Sequence, residues 1–511
     1  MAEGVVLVGL SGSGKTTLAR DLAARLGRPL ADTDELVRQR TGRTPAEMIR
    51  DDGEPAFRAH EAAVVAELPA GAVVATGGGA VEDPINRWRL WHHGRVVWLD
   101  APVEVLARRV AGSEPRPMLG NDALAGLQGL AERRAPFYRA ADARLDTAEP
   151  NALDRICELL AQPAPAGRRL FDAEVARHHP MGPATARVIY GVAPPLPEME
   201  GTPSVVVDRR VANLAPPGRR LEISAGERSK RLRNLERILD WLSEVRHERG
   251  DPLIAVGGGT TGDVVGLAAA LFARGVPWVN LPTTWLAQAD AALGGKVAVD
   301  LAGAKNAVGA FWPPVAVVAD VQSLRTLSLE QLRDGLAEAV KAAMIGDPAL
   351  WKLLEQRGDA ALRGDEEARY AITERAARVK LDIVERDPFE EGERRQLNLG
   401  HTLGHALEVE SRYRLPHGAA VALGLRAVTA MAVARGAAAE LAESLDHLLI
   451  GLGMNLQRDF DASVVRSSLE TDKKRSRGRQ RWLLPMRIGQ VEEVDDVSDA
   501  ELEAAMRRIG P

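Results

Sequence analysis

A single cysteine, Cys157, stands in 511 residues. No internal disulfide framework is possible, and a reducing compartment is expected. Its neighbours Leu153, Ile156, Leu159 and Leu160 read as one helix face, which predicts a buried, inert thiol. Aromatic residues are scarce, at 4%, while Arg and Ala are abundant, a bias of composition more than of function. No apolar run is expected to reach membrane-spanning length, and no signal peptide precedes the first apolar run, Val5 to Val8. These absences predict a cytoplasmic protein with no membrane partner. The net charge of -5 gives no reason to expect nucleic acid. Basic residues are spread along the chain; the one dense run, Lys473-Lys474-Arg475 with Arg477 and Arg479, reads as a solvated loop. What is present is ordinary for globular protein: 45% hydrophobic and 27% charged residues, in a length that suggests about three domains.

The chemistry starts at the first strand. Val5 to Val8 leads into Gly9-Leu10-Ser11-Gly12-Ser13-Gly14-Lys15-Thr16, and a helix is predicted from Thr17 to Leu26. Strand, G-x-x-x-x-G-K-T and helix form the context in which backbone N–H groups converge on phosphates. Gly12, Ser13, Gly14, Lys15, Thr16 and Thr17 are the candidate nucleotide residues, with Lys15 directed at the β- and γ-phosphates of ATP and Thr16 at Mg²⁺. Further on come Asp32-Thr33-Asp34 at a strand end, Phe57-Arg58 and Glu61 on a helix, Gly77-Gly78-Gly79 after another strand, Arg116-Pro117-Met118-Leu119 in a loop, and Arg134 to Tyr138.

In this order and spacing, residues 1–162 resemble shikimate kinase. The resemblance implies a P-loop kinase domain with a parallel sheet, of the nucleoside-monophosphate-kinase type. It implies that Asp34, Arg58, Gly79 and Arg134 hold shikimate, the two arginines by bidentate pairing with its carboxylate. Asp34 would orient or deprotonate the attacking hydroxyl, Asp32 would act on Mg²⁺ through water, and Arg116 would be the lid arginine that closes over the phosphates.

Residues 163–184, rich in Pro, Gly and Ala and without clear periodicity, predict a linker, with His178 and His179 solvated in it. Strands are expected at Ala186 to Tyr190, Ser204 to Val207 and Leu253 to Val256, and Gly226 to Lys230 is expected to open a helix. Gly257-Gly258-Gly259-Thr260-Thr261-Gly262-Asp263 matches G-x-G-x-x-G after a strand, but the acidic residue usual about twenty positions later is missing. Phe272-Ala273-Arg274-Gly275, Pro282-Thr283-Thr284-Trp285-Leu286-Ala287-Gln288-Ala289-Asp290, Gly294-Gly295-Lys296, Lys305-Asn306 and Leu336 to Lys341 follow. Then come Lys380, Arg394 and Asn398-Leu399-Gly400-His401-Thr402-Leu403-Gly404-His405, with His417 after Pro416 where a turn is expected. His401 and His405 are four apart and share a helix face. Taken alone they could be core histidines; with His417 they could ligate a metal.

This series resembles 3-dehydroquinate synthase over residues 185–511. The resemblance implies an α/β NAD-binding domain, 185–325, and a mainly α-helical metal- and substrate-binding domain, 326–511. It implies NAD held by Glu227, Lys230, Gly259, Thr260, Thr261, Gly262, Asp263, Thr283, Thr284 and Lys305, the first two accounting for the missing downstream acid. Glu338, His401 and His417 would bind Zn²⁺ or Co²⁺, with Lys341 one helical turn from Glu338. Arg274, Asp290, Lys296, Asn306, Lys341, Lys380, Arg394 and a lysine of the Lys473-Lys474 pair would meet the substrate's carboxylate, phosphate and hydroxyls. Lys296, Lys341, Lys380, Arg394, Asn398 and His405 would carry the catalytic work, His405 as a substrate or proton-relay group. Leu403, Ala419, Ala291-Ala292 and Trp285 depart from the family pattern. Related enzymes cyclise sugar phosphates to 2-deoxy-scyllo-inosose or a valiolone, and one half could instead be a degenerate binding module. A homodimer through the synthase half is expected.

Overall fold

The computed structural model describes residues 3–111, 117–120, 122–179, 182–224, 226–301, 304–470, 475–476 and 479–510. It divides into two compact units, residues 1–174 with 188–195, and residues 175–187 with 196–511.

The first unit is built on five parallel strands, β1 (Gly4–Val8), β2 (Leu30–Asp32), β3 (Val73–Ala75), β4 (Gly94–Asp100) and β5 (Ala143–Asp146), in spatial order β2-β3-β1-β4-β5. Every residue of β1 is buried, as expected of a central parallel strand covered on both faces. Val5, Leu7, Val97 and Leu99 of the sheet pack on Ala19 and Leu22 of the helix Lys15–Leu26. Each such buried Leu contributes roughly 1.5–3 kcal/mol. The helix starts two residues earlier than the sequence predicts, directly on Gly14, whose φ of 87° needs glycine. Cys157 is only half-buried, beside the buried Ile156, not fully enclosed as expected.

In the second unit β8 (Ser204–Asp208), β9 (Arg219–Ile223), β10 (Leu253–Gly257), β11 (Trp278–Pro282) and β14 (Ala316–Asp320) run parallel in the order β14-β11-β10-β8-β9. Ile238 and Leu242 of the helix Leu232–Glu244, and Val264 and Leu267 of the helix Gly259–Leu271, close over the face formed by Val206, Leu253, Ala255 and Trp278. A two-stranded ribbon, β12 (Lys296–Leu301) with β13 (Ala304–Phe311), follows, and the helices Leu329–Gly346, Glu366–Arg386, His401–Glu410 and His417–Ala434 complete the unit. Ser328 and Gln331 form a capping box that fixes the start of Leu329–Gly346. His401–Glu410 and His417–Ala434 approach closely at glycines: a Cβ on Gly404 would lie 3.0 Å from the Ala420 carbonyl, and one on Gly424 would strike the Gly400 backbone.

Three expectations are corrected. Most of 163–184 is strand rather than linker: β6 spans Arg168–His179 and β7 spans Gly182–Val192. The element after Gly226 is a single 3-10 turn, Glu227–Ser229, and the helix begins only at Leu232. His417–Ala434, expected to fall short of membrane length, is long and apolar enough to cross one; it lies in the core, 72% buried.

Candidate functional site

In each unit the glycine-rich turn leaves the carboxyl end of a strand where the spatial order reverses, β1 in the first and β10 in the second. Open α/β sheets offer a crevice at that point. In the first unit Gly12 and Gly14 take φ of 84° and 87°, turning the loop before the Lys15–Leu26 helix. Lys15 Nζ donates to the Gly9 and Leu10 carbonyls, 2.9 Å each. The Thr16 hydroxyl donates to Asp32 Oδ2 at 2.7 Å, and Asp32 Oδ1 caps the next helix by accepting from the Asp34 and Glu35 N–H groups.

Gly77, Gly78 and Gly79 are the meeting point of the other candidates. A Cβ on Gly77 would lie 2.6 Å from Asp34 Oδ1 and 2.7 Å from Glu61 Oε1; one on Gly78 would lie 3.2 Å from Arg134 Nη1; one on Gly79 would strike the Arg58 guanidinium. Only glycines let two acids and two arginines approach the same backbone. Arg58 donates to Glu61 Oε2 at 2.7 Å and to Glu54 Oε1 at 2.8 Å, and Arg134 donates to Glu82 Oε1 at 2.7 Å. Burial pushes the Glu61 carboxyl up to about 7 against the pull of Arg58.

In the second unit a cavity of about 860 Å³ opens between the glycine turn and the histidine helices. On one side Lys230 pairs with Asp263 at 2.5 Å and Lys305 with Glu227 at 3.2 Å. Across from them, Glu338 sits on the Leu329–Gly346 helix, almost fully buried. Its Oε1 faces His417 Nε2 at 3.1 Å and His401 Nε2 at 3.4 Å. The donor atoms of Glu338, His401 and His417 lie within 4.8 Å of one another. Two imidazoles and a carboxylate with room beside them suit a catalytic metal that keeps an open position. Burial alone would raise the Glu338 carboxyl, but Lys341, then His401 and His417, outweigh it and hold it well below the usual range.

One turn on, Lys341 Nζ lies 2.5 Å from Glu338 Oε2 and 3.6 Å from Asp290 Oδ1, and Lys380 lies 3.0 Å from the same Asp290 oxygen. Burial pulls both lysines down; the two carboxylates reverse this for Lys341, whereas Lys380, which also faces Lys341, stays lowered. Arg394 is almost fully buried and donates to the Gly294 carbonyl at 3.0 Å. Two lysines and an arginine against two carboxylates, Asp290 and Glu338, leave the inner wall with an excess of cations, suited to an acidic ligand.

A family model described as Shikimate kinase matches residues 11–162. Models described as 3-dehydroquinate synthase N-terminal and 3-dehydroquinate synthase C-terminal match 220–334 and 335–475. A 2-epi-valiolone synthase of Actinosynnema mirum is 40% identical over 334 residues, covering 61% of this chain and 87% of the relative. The chain belongs to the 3-dehydroquinate synthase family. A shikimate kinase domain precedes that part, so the chain combines kinase and cyclase enzyme classes. The 3-dehydroquinate synthase of Xanthomonas campestris pv. campestris is 44% identical over 289 residues, covering 55% of this chain and 78% of the relative. Among solved structures, ValA, a 2-epi-5-epi-valiolone synthase from Streptomyces hygroscopicus subsp. jinggangensis 5008 with NAD⁺ and Zn²⁺ bound, superposes with a TM-score of 0.57 at 28% identity, covering 60% of this chain and 90% of that one.

Within this 3-dehydroquinate synthase framework the cavity gathers most residues singled out from sequence. Glu227, Lys230, Gly259, Thr260, Thr261, Asp263, Thr284 and Lys305 line it on the side of the glycine turn; Asp290, Lys296, Asn306, Lys341, Lys380, Arg394, Asn398, His401, His405 and His417 line the other. Four residues stand apart from it. Glu338 is almost fully buried against His401 and His417. Thr283 is buried behind the turn, Gly262 faces Asn280 inside its helix, and Arg274 is exposed at the end of the Phe272–Arg274 turn. Arg116, Lys473 and Lys474 lie outside the described residues. Sequence reading missed two acids. Glu390 takes Lys296 as an ion-pair partner and accepts from Asn398 Nδ2 at 2.8 Å. Glu408 faces His417 Nδ1 at 3.4 Å and Lys305 at 3.5 Å. Glu408 lies one turn after His405 on the same helix, a spacing that could have drawn attention to it.

Proposed function

We propose that the chain is a bifunctional enzyme that phosphorylates shikimate with ATP and cyclises 3-deoxy-D-arabino-heptulosonate 7-phosphate to 3-dehydroquinate with release of phosphate. The carrying observation is the cavity at whose wall His401 and His417 face the buried Glu338, beside the Lys341–Asp290–Lys380 cluster and opposite the glycine turn. In the kinase half, Lys15 and the N–H groups of residues 12–16 take the phosphates, and Thr16 and Asp32 hold Mg²⁺. When bound, that ion neutralises charge on the transferring phosphoryl group. Arg58 and Arg134 take the shikimate carboxylate. Asp34 orients the attacking hydroxyl.

In the synthase half, Glu338, His401 and His417 would hold Zn²⁺ or Co²⁺, and Glu227, Lys230, the glycine turn and Lys305 would hold NAD. When bound, the metal would supply Lewis acidity and NAD a reversible hydride acceptor. Lys341 places a positive charge against the negative charge that develops there. Lys380 and Arg394 take the carboxylate, Lys296 and Asn398 bind phosphate, and His405 passes protons at the open side of the cavity. A homodimer and a cytoplasmic location belong to the same reading.

The Actinosynnema relative favours one second reading, a cyclase for sedoheptulose 7-phosphate. That sugar phosphate has no carboxylate, so the paired cations Lys380 and Arg394 support the keto-acid substrate instead. Assaying the full chain against both seven-carbon phosphates decides. Release of inorganic phosphate from the keto acid is expected; release from sedoheptulose 7-phosphate alone overturns the first reading. ADP formation that depends on shikimate tests the kinase half.

A further inference from the structure

The two histidines that face Glu338 present the same nitrogen to it. His401 Nε2 is 3.4 Å and His417 Nε2 is 3.1 Å from Glu338 Oε1. For both to bind one cation through Nε2, each must carry its proton on Nδ1, and each Nδ1 needs an acceptor. His401 has a backbone one, the Leu399 carbonyl at 3.1 Å. For His417 the group facing Nδ1 is a carboxylate, Glu408 Oε1, at 3.4 Å. Glu408 is almost fully buried, and its other oxygen, Oε2, is buried with no hydrogen-bond partner. A buried carboxylate is costly unless matched by a cation. Lys305 supplies one, 3.5 Å from Glu408 Oε1, while also reaching Glu227 Oε1 at 3.2 Å and lying over the Tyr413 ring at 4.5 Å.

We infer that Glu408 is the positioning residue that fixes the tautomer and ring orientation of His417, and that Lys305 ties it to the nucleotide-binding element through Glu227. This rests on the reading of Glu338, His401 and His417 as metal ligands. The asymmetry between the histidines gives it content. A backbone carbonyl cannot be lost by mutation, so His401 is held by the fold, whereas His417 depends on one side chain. A rival role exists for the same residue: His405, Glu408 and His417 also bring donor atoms within 4.8 Å of one another. A second cation there would need His417 Nδ1 deprotonated, which is incompatible with an N–H···O bond to Glu408.

The test is zinc binding to the full chain, measured by competition with a chromophoric chelator, together with the visible spectrum of the Co²⁺-loaded protein. Wild type should bind one ion per synthase half; failure of wild type to bind overturns the metal reading itself and is thereby told apart from failure of this inference. Glu408→Ala should weaken zinc binding about 10–100-fold and alter the Co²⁺ bands, the range typical of removing a partner of a ligating histidine. Glu408→Gln, whose amide oxygen still accepts from Nδ1, should retain affinity to within a few-fold. The unfolding curve of each metal-free variant, unchanged from wild type, shows that the fold is intact. Wild-type affinity and spectrum in Glu408→Ala would overturn the positioning role. So would two ions per wild-type half with one lost in the variant, which would make Glu408 a ligand.

Discussion

At the residue scale, the histidine helix separates two roles that its spacing alone could not. His401 and His405 share a face, with ring centroids 5.2 Å apart, yet only His401 turns Nε2 to Glu338. His401→Ala or His417→Ala should therefore lose bound zinc, and His405→Ala should keep zinc and lose turnover, as read by metal analysis alongside phosphate release. In the kinase unit Glu61 makes the matching pH statement. Its ordinary value of 4.5 is pushed up to about 7 by burial. Between those values the folded chain holds a proton that the unfolded chain has released, so stability falls as pH rises through that window, by up to about 3 kcal/mol. Glu61→Gln should flatten the dependence of the kinase unit's melting temperature between about pH 5 and about pH 7.5. A slope unchanged in the variant would assign it to another group.

At the scale of elements, what was legible in the sequence was whatever is local. The P-loop, the triple glycine and the histidine helix are short, and their geometry follows from residues a few positions apart. Glu338 and Lys341 at i,i+3 were readable as one face because the helix around them is apolar. Glu390 was not, since its partner Lys296 lies 94 residues away, and Glu408, although nine residues from His417, also depends on Lys305, 103 residues away. The strand Arg168–His179 was missed for another reason. Residues 170–173 are buried on both faces, including the carboxylate Asp172 beside Arg169 at 3.2 Å, so no alternation marks them. The Leu329–Gly346 helix is set by a contact that sequence cannot show. A Cβ on Gly335 would lie 2.7 Å from Trp285 Cγ and 2.9 Å from the Leu286 nitrogen. Gly335→Ala should cost about 1–3 kcal/mol by overpacking. It should also shift Glu338 and Lys341 against Asp290, lowering synthase turnover while shikimate phosphorylation is unchanged.

On the scale of the whole molecule, the chain does not pass once from the first unit to the second. It leaves at residue 174, returns for 188–195 and leaves again. The segment after residue 162 completes the first unit: buried Arg87 Nε donates to the Leu170 carbonyl at 3.0 Å, the Phe171 ring lies tilted 6.0 Å from Phe137, and Tyr190 of the returning stretch meets Phe171 edge-on at 6.1 Å. A fragment ending at residue 162 keeps every kinase motif but removes the Leu170 acceptor of the Arg87 Nε and uncovers Phe137. It should melt at least about 5 °C below a fragment ending at residue 195, since an unpaired buried donor alone costs about 1–3 kcal/mol. Equal melting temperatures would show that the hairpin is dispensable to the first unit.

The same threading has a consequence during synthesis. A kinase that ended at its last motif could close as soon as residue 162 cleared the ribosome. Here closure must wait for residue 195, another 33 residues of translation. At about 5–20 residues per second that delay is roughly two to seven seconds. Throughout it, the bed that will receive Phe171 and Tyr190 stands open to whatever else the nascent chain or the cell presents.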